Sequence, residues 1–423
     1  MKIWTRFSFL ILSIGILTLG ACRSTREIPA PAPVNLTPIN APPSIQNSLP
    51  VVNSPTVIYP NALARIDSII IEFINAQAFP GAVVSLGKGS EIIKMTGYGG
   101  YTYRSRRRML PESIFDLASL TKVIATTTAA MILYERGELD IEAPVSRYLD
   151  AFNTPERQSI TIRHLLTHTS GLPAFRPFHQ DGITSGTVVM DSILSAQLLT
   201  EPGKEYLYSD FGMISFALVI ETITGEPFDQ WCARNIFAPL EMNATGFRGT
   251  GETDPSVVPT ELDDYFRHRL IQGEVHDETA WTLGGVSGHA GLFSTAQDLT
   301  KFARMMSQGG LHNGDEFLQA QTINLFTTVV DTSLSTRALG WDTRNLNDEP
   351  SSAGLYFGPR SYGHTGFTGT SLWIDPDSKA WVILLTNRVY PTRDRYDRFR
   401  GVRGLIADAV YEAFFWPLPE TKD

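Results

Sequence analysis

Ser119 and Lys122 stand three residues apart, where Phe115-Asp116-Leu117-Ala118 gives way to an apolar run rich in alanine and threonine. A serine hydroxyl attacks a carbonyl only when a neighbour takes its proton. A lysine held out of water can be that neighbour, or can tune another base. Residues three apart on a helix share a face. The run as far as Tyr134-Glu135-Arg136-Gly137 reads as such a helix, starting near Ser119 and stopping at Gly137. A helix start also aims free backbone N–H groups at an anion forming beside the serine. The chemistry such a pair could do is nucleophilic attack by an activated serine.

Two further groups of residues follow. Tyr208-Ser209-Asp210 comes after Gly203-Lys204-Glu205-Tyr206-Leu207, and His364-Thr365-Gly366 precedes an alternating hydrophobic strand. The phrases Leu165-Leu166-Thr167-His168-Thr169-Ser170-Gly171-Leu172 and Gly288-His289-Ala290-Gly291-Leu292-Phe293-Ser294-Thr295 lie between the boxes. The order Ser-x-x-Lys, Tyr-Ser-Asp, His-Thr-Gly resembles the three boxes of class C β-lactamases and related penicillin-recognising serine hydrolases. The resemblance covers Tyr59 to Phe415.

That resemblance implies an α/β (α+β) fold of the β-lactamase/D,D-peptidase kind, an antiparallel sheet flanked by helices with a helical subdomain inserted. It implies Ser119 as nucleophile, Lys122 as its partner, and Tyr208 as the base that later protonates the leaving group. A free phenol titrates near about 10, so Tyr208 needs a cation beside it for that role. The N–H groups of Ser119 and Phe367 would form the oxyanion hole. Thr365 and Gly366 would line the substrate, Gly366 letting its backbone come close. The same family relation implies no metal or organic cofactor.

Two positions depart from the pattern. Asp210 stands where many relatives carry asparagine, and an ionised carboxylate donates no hydrogen bond to a substrate acylamino group. His364 stands where β-lactamases usually have lysine, and meets a substrate carboxylate only when protonated. Slow β-lactam hydrolysis is therefore expected, with D-amino-acid peptides of the peptidoglycan type or small esters as better substrates.

The elements that must position these boxes are legible in outline. An amphipathic helix over Asn61–Ala76 leads into strands at Gly81–Gly87 and Glu91–Gly97. Helical patterns follow at Ile162–Thr167, Ser192–Leu199, Phe211–Thr224, Phe228–Phe237 and Ala296–Ser307. Strands return at Ser361–Thr365, Thr370–Asp375 and Trp381–Asn387, the last two joined by a turn at Pro376-Asp377-Ser378-Lys379. A final helix over Gly401–Phe415 shows an apolar face of Val402, Leu405, Ile406, Ala409, Val410 and Phe414. Strands at both ends of a helical middle imply one sheet built from distant segments. The α/β part is expected over 59–116 and 325–416, and the helical part over 117–324.

Lys2 and Arg6 precede the apolar run Phe7–Gly20, which ends in Leu19-Gly20-Ala21-Cys22. A basic start and a short apolar stretch read as a signal peptide over 1–21. Cys22 after small residues resembles a bacterial lipobox, so lipidation there would anchor the chain to a membrane facing the periplasm. The Pro-, Ser- and Asn-rich stretch over 22–58 reads as a tether. Cys232, the other cysteine, sits in a helical pattern as a core thiol with no partner for a disulfide.

A net charge of −9 excludes wrapping nucleic acid. The one basic cluster, Arg104-Ser105-Arg106-Arg107-Arg108, reads as a solvated loop. His276-Asp277-Glu278 with His289 lacks the helix-spaced pair of a metal site; His289 lines the cleft on this reading, and His168 is structural in its turn. The expected protein is a lipid-anchored serine hydrolase for a peptide, ester or β-lactam. The competing reading is a silent relative that binds cell-wall peptides or β-lactams as a sensor, which intact Ser119, Lys122 and Tyr208 disfavour.

Overall fold

The computed structural model describes residues 58–251, 253–345 and 351–415. The expectations for Cys22, the signal peptide and all but the end of the tether lie outside these residues.

Helix α1 (Pro60–Asn75) opens the fold, with proline in its first turn, where a missing N–H costs nothing. Strands β1 (Gly81–Lys88) and β2 (Glu91–Gly99) follow as a hairpin. The helical half then supplies α2 (Thr128–Glu135), α3 (Asp210–Thr224) and α4 (Ala296–Ser307). Strands β3 (Asp342–Thr343), β4 (Tyr362–Thr365), β5 (Ser371–Ile374) and β6 (Ala380–Thr386) return before α5 (Val402–Phe415). The six strands form one sheet in the order β3-β4-β5-β6-β1-β2, and every pairing is antiparallel. β1 thus lies against β6 from the far end of the sequence, with Ala82 opposite Thr386 and Lys88 opposite Ala380.

Alternation along β1 divides the core. Val84 and Leu86 face α1 and α5, packing with Ile66, Ile70, Ile406 and Val410. Val83 joins the larger core of the other face, which includes Ile383, Leu385, Phe302 of α4 and the interior of the helical half. Burying side chains such as Ile66 or Ile70 stabilises the fold by about 1.5–3 kcal/mol each. Across that second face Ser85 Oγ meets Thr300 Oγ1 of α4 at 2.8 Å, satisfying both hydroxyls.

Two expectations need correction, and two elements went unread. The helix placed at Ser192–Leu199 runs instead over Gly186–Leu194. Ser185 caps it, and Ser195 turns its hydroxyl back to Asp191 O at 2.7 Å. Leu405 is 40% exposed and lies outside the buried face of α5, because its neighbours Val402 and Ile406 already fill the contact. A helix at Ala320–Thr327 and a small sheet joining Phe115–Asp116, Leu292–Ser294 and Gly246–Phe247 carried no recognised pattern. That small sheet matters most here, since it ties the segment before Ser119 to the Gly288–Thr295 phrase.

Candidate active site

The nucleophile's turn is held from several sides. Asp116, 2% exposed, accepts Ala118 N at 2.8 Å on one oxygen and His276 N at 2.7 Å on the other. Thr368 and Thr370 give their hydroxyls to Asp116 O (2.8 Å) and Leu117 O (2.9 Å). Ala118 is thereby fixed at φ +48°, a left-handed conformation that costs an L-residue about 1 kcal/mol or more. A tight turn over Ala118–Leu120 passes into a widened π-type stretch at Lys122–Thr127 before α2 becomes regular. The helix expected from Ser119 to Gly137 is therefore present but irregular where the chemistry sits. Gly137 ends it at φ +70°.

This winding puts Lys122 Nζ 3.0 Å from Ser119 Oγ. The ammonium is fully enclosed and gives a second hydrogen bond to His289 O at 3.0 Å. Asp210, the first residue of α3, brings Oδ1 to 2.8 Å. Burial pulls the Lys122 pKa down, but the charge of Asp210, and then Tyr208, outweigh it, and the net direction is upward. Lys122 is thus a cation at neutral pH. Asp210, expected to face a substrate amide, is first the counter-ion of Lys122.

Tyr208 lies in the loop that Ser209 closes by capping α3, its hydroxyl accepting Gly212 N at 3.1 Å. Lys122 Nζ is 5.0 Å from the centre of the Tyr208 ring. Arg337, which the sequence reading missed, lies 5.2 Å from the same ring. His168 packs against Tyr208 with ring centres 4.5 Å apart. Its Nδ1 accepts Ser209 N at 3.1 Å, and its carbonyl accepts Leu207 N at 2.9 Å. The structural role expected of His168 holds, and its object is Tyr208.

His364 does not fit its expected role. Its Nδ1 is 2.8 Å from Thr365 O, so the proton sits on Nδ1, and Nε2 is enclosed without a partner. Burial first, then the charges of Arg337 and Lys122, hold its pKa well below the ordinary histidine value. A neutral imidazole cannot be the carboxylate anchor. Gly366 has a reason to be glycine within the fold itself. An added Cβ would collide with Leu117 O and Thr370 Oγ1, so the close approach is by the nucleophile's own segment. Phe367 is 48% exposed at the rim, with the His276 ring 5.7 Å away.

Ser119, Tyr208, His364, Thr365, Gly366 and Phe367 all line one cleft of about 520 Å³. Arg337, Arg388, Arg393 and Arg403 line it too. These arginines are scattered over the last third of the chain in no shared motif, so only the fold could reveal them. A second cavity, of about 360 Å³, is lined by Asp210, Phe211, Asp277, Glu278 and His289 among others, with Arg393 common to both. His289 bridges Ser287 Oγ (2.8 Å) and Asp277 (2.9 Å). His276 pairs with Glu261 at 2.8 Å, and Glu278 with Arg393 at 2.8 Å. Pairing with Glu261 outweighs burial and raises the His276 pKa, while His289 outweighs burial at Asp277 and keeps that carboxyl ionised. Cys232 is buried, its thiol pushed up by burial. Arg104, Arg106 and Arg108 are exposed, as expected of a loop surface.

Comparison with known proteins agrees with this geometry. The Beta-lactamase family model matches residues 66–405. An N-acetylmuramyl-L-alanine amidase of Bacillus subtilis (strain 168) is 30% identical over 408 residues, spanning 86% of this chain and 92% of that protein. A Salmonella typhimurium protein provisionally named a D-alanyl-D-alanine carboxypeptidase is 30% identical over 383 residues, with 82% and 88% covered. Among solved structures, EstCE1, a hydrolase with promiscuous acyltransferase activity, superposes with a TM-score of 0.66 at 25% identity over 83% of this chain and 99% of its own. The penicillin-binding protein homologue of Pyrococcus abyssi shares the fold at 22% identity and a TM-score of 0.62, over 77% of this chain and 73% of its own. With family model, relatives and fold in agreement, this chain is a serine hydrolase of the Beta-lactamase family.

Proposed function

We propose that the chain cleaves amide or ester bonds of small peptidoglycan-type peptides through an acyl-enzyme on Ser119, with β-lactams as poor substrates. The observation that carries this reading is the 3.0 Å contact between Lys122 Nζ and Ser119 Oγ on the floor of a cleft that Tyr208 also lines. Lys122 is cationic and cannot itself accept the serine proton, so in this mechanism a Tyr208 phenolate takes it as Ser119 Oγ attacks the carbonyl. The N–H groups of Ser119 and Phe367 receive the oxyanion. Collapse breaks the C–N or C–O bond, and Tyr208 returns its proton to the departing atom. Water then attacks the ester on Ser119, losing a proton to Tyr208, and Tyr208 passes that proton to Ser119 Oγ as the bond to the freed acid breaks. The names of the two relatives favour amide bonds of the cell wall, and the EstCE1 likeness favours small esters.

A serine-reactive fluorophosphonate probe and a panel of peptidoglycan fragments, p-nitrophenyl esters and a chromogenic cephalosporin test the reading. Wild type should label at Ser119 and turn over a fragment or ester, while Ser119→Ala should do neither. Labelling or turnover that survives Ser119→Ala refutes the site. The anchor belongs to the same proposal. Wild type should partition to membranes and incorporate a fatty-acid analogue, and Cys22→Ser should not. Equal labelling of the two would remove the lipid anchor.

A further inference from the structure

The cleft beside Ser119 holds more positive charge than its own carboxylates neutralise. Of its four arginines, Arg393 is engaged by Glu261 and Glu278, and Arg337 has Asp342 at 3.5 Å. Among the described residues, no carboxylate pairs with Arg388 or Arg403. Arg388, 3% exposed just beyond β6, has aromatic rings against its guanidinium: Phe367 at 4.5 Å, Tyr396 at 5.0 Å and Phe399 at 5.8 Å. Arg403, in the first turn of α5, gives Nη2 to Gly366 O (2.7 Å) and Thr370 O (3.1 Å). The Nε of each is enclosed without an acceptor. Burial, and then the nearby Arg388 charge, depress Arg403 to about 9, while burial depresses Arg388 to about 10. Arg388 is buried and Arg403 half-buried; a buried cation without a counter-ion is costly, and an arriving anion recovers part of that cost.

The side of the cleft is set by Tyr208. The residue placed to protonate the leaving group lines this cleft and not the cavity of Asp277 and Glu278. Whatever departs from the acyl-enzyme therefore departs past the arginines. We propose that this is a leaving-group subsite for an amine bearing two carboxylates, that is, for the N-terminus of an acidic peptide. One carboxylate meets Arg388 and the other Arg403, whereas a monocarboxylate leaves one guanidinium unanswered. The exposed rings of Phe367 and Tyr396 wall the same end and can cover the peptide's apolar parts. This deepens the reading of Ser119 as the acyl-forming nucleophile and rests on it.

Calorimetry on full-length Ser119→Ala protein tests the subsite without turnover. The probes are L-alanyl-L-glutamate, with two carboxylates, its near-isostere L-alanyl-L-glutamine, with one, and L-alaninamide, with none. The dicarboxylate should bind at least about tenfold more tightly than the glutamine peptide, and alaninamide most weakly. That preference should shrink at high salt, collapse when Arg388→Gln is added, and survive in part with Arg388→Lys. Equal binding of the two dipeptides would reduce the subsite to a single carboxylate and overturn the proposal. So would an unchanged preference in a folded Arg388→Gln variant. If that variant does not fold, the salt dependence and Arg388→Lys decide in its place. Ester turnover by the wild type reads the Ser119 assignment separately, so either can fail alone.

Discussion

Asp210 Oδ1 lies 2.8 Å from Lys122 Nζ, and this pair favours the charged form of the lysine beside Ser119. Without it, burial would be the dominant influence on Lys122 and would favour the neutral amine. With it, Lys122 remains an ammonium beside Ser119 and below Tyr208. The position that departs from its relatives therefore acts on the charge state of the site before it acts on any substrate.

Asp210→Asn should lower the Lys122 pKa and move the alkaline limb of kcat/KM for a neutral ester to lower pH. The loss should reach about tenfold or more on the alkaline side, a shift of one pKa unit being worth about 1.4 kcal/mol. Were neutral Lys122 the working base, the same variant would instead gain activity near neutrality. An unmoved limb would show that Asp210 does not govern the lysine. The asparagine amide should also speed acylation by a chromogenic cephalosporin, read as the rate of covalent labelling.

Tyr208→Phe removes the proton carrier but keeps the ring against His168. Acid–base groups of this kind contribute about 10²–10⁴-fold, and kcat for ester hydrolysis should fall within that range. Lys122→Ala should cost nearly as much, because groups that act as a unit are not additive. A double variant much slower than either single one would mean that the two residues work independently.

Ala118 at φ +48° tolerates its conformation because the Cβ is small. Ala118→Val should destabilise the fold by about 1–3 kcal/mol, read from urea denaturation, since a β-branched residue resists that region. Ala118→Gly should leave stability within about 1 kcal/mol of wild type, relief of strain being offset by the freer unfolded chain. Equal stability of Val and Ala variants would show that the turn is not strained.

His168 and His364 are both held neutral, their pKa values well below the ordinary histidine value through burial and neighbouring cations. Their folded pKa values are depressed, so the unfolded chain binds more protons below about pH 6.5, and stability falls as pH drops through that value. The contribution is complete above the unfolded pKa. His276, whose raised pKa works in the opposite direction, is common to both proteins, so the melting temperature of His364→Gln should fall less between pH 7 and pH 5 than that of wild type. A variant with the wild-type slope would mean that His364 is charged in the fold.

The boxes around Ser119, Tyr208 and His364 were legible because their residue types and order resemble those of a known family of serine hydrolases. α4 was read to its residue bounds because Thr295 caps a strongly amphipathic pattern. What stayed hidden is what depends on tertiary placement. His364 looked like a cation carrier because nothing local announces burial beside Arg337 and Lys122. Asp210 looked like a substrate contact because its partner lies far back in the sequence. Arg388 and Arg403 flank no motif, and the small sheet rests on two- and three-residue strands too short to show alternation.

The pairing of β1 with β6 has a consequence for how the protein comes into being. β1 emerges early in synthesis and β6 late, so the β1–β2 hairpin waits with the open edge of β1 unpaired while the helical half is made. Such non-local pairing is slow to form, and its waiting edge can pair with a neighbouring chain. The cleft cannot close until β6 and α5 arrive, because Arg388 and Arg403 come with them. Assembly of the sheet and completion of the cleft are therefore one late event, and a nascent chain stalled before Ala380 lacks both.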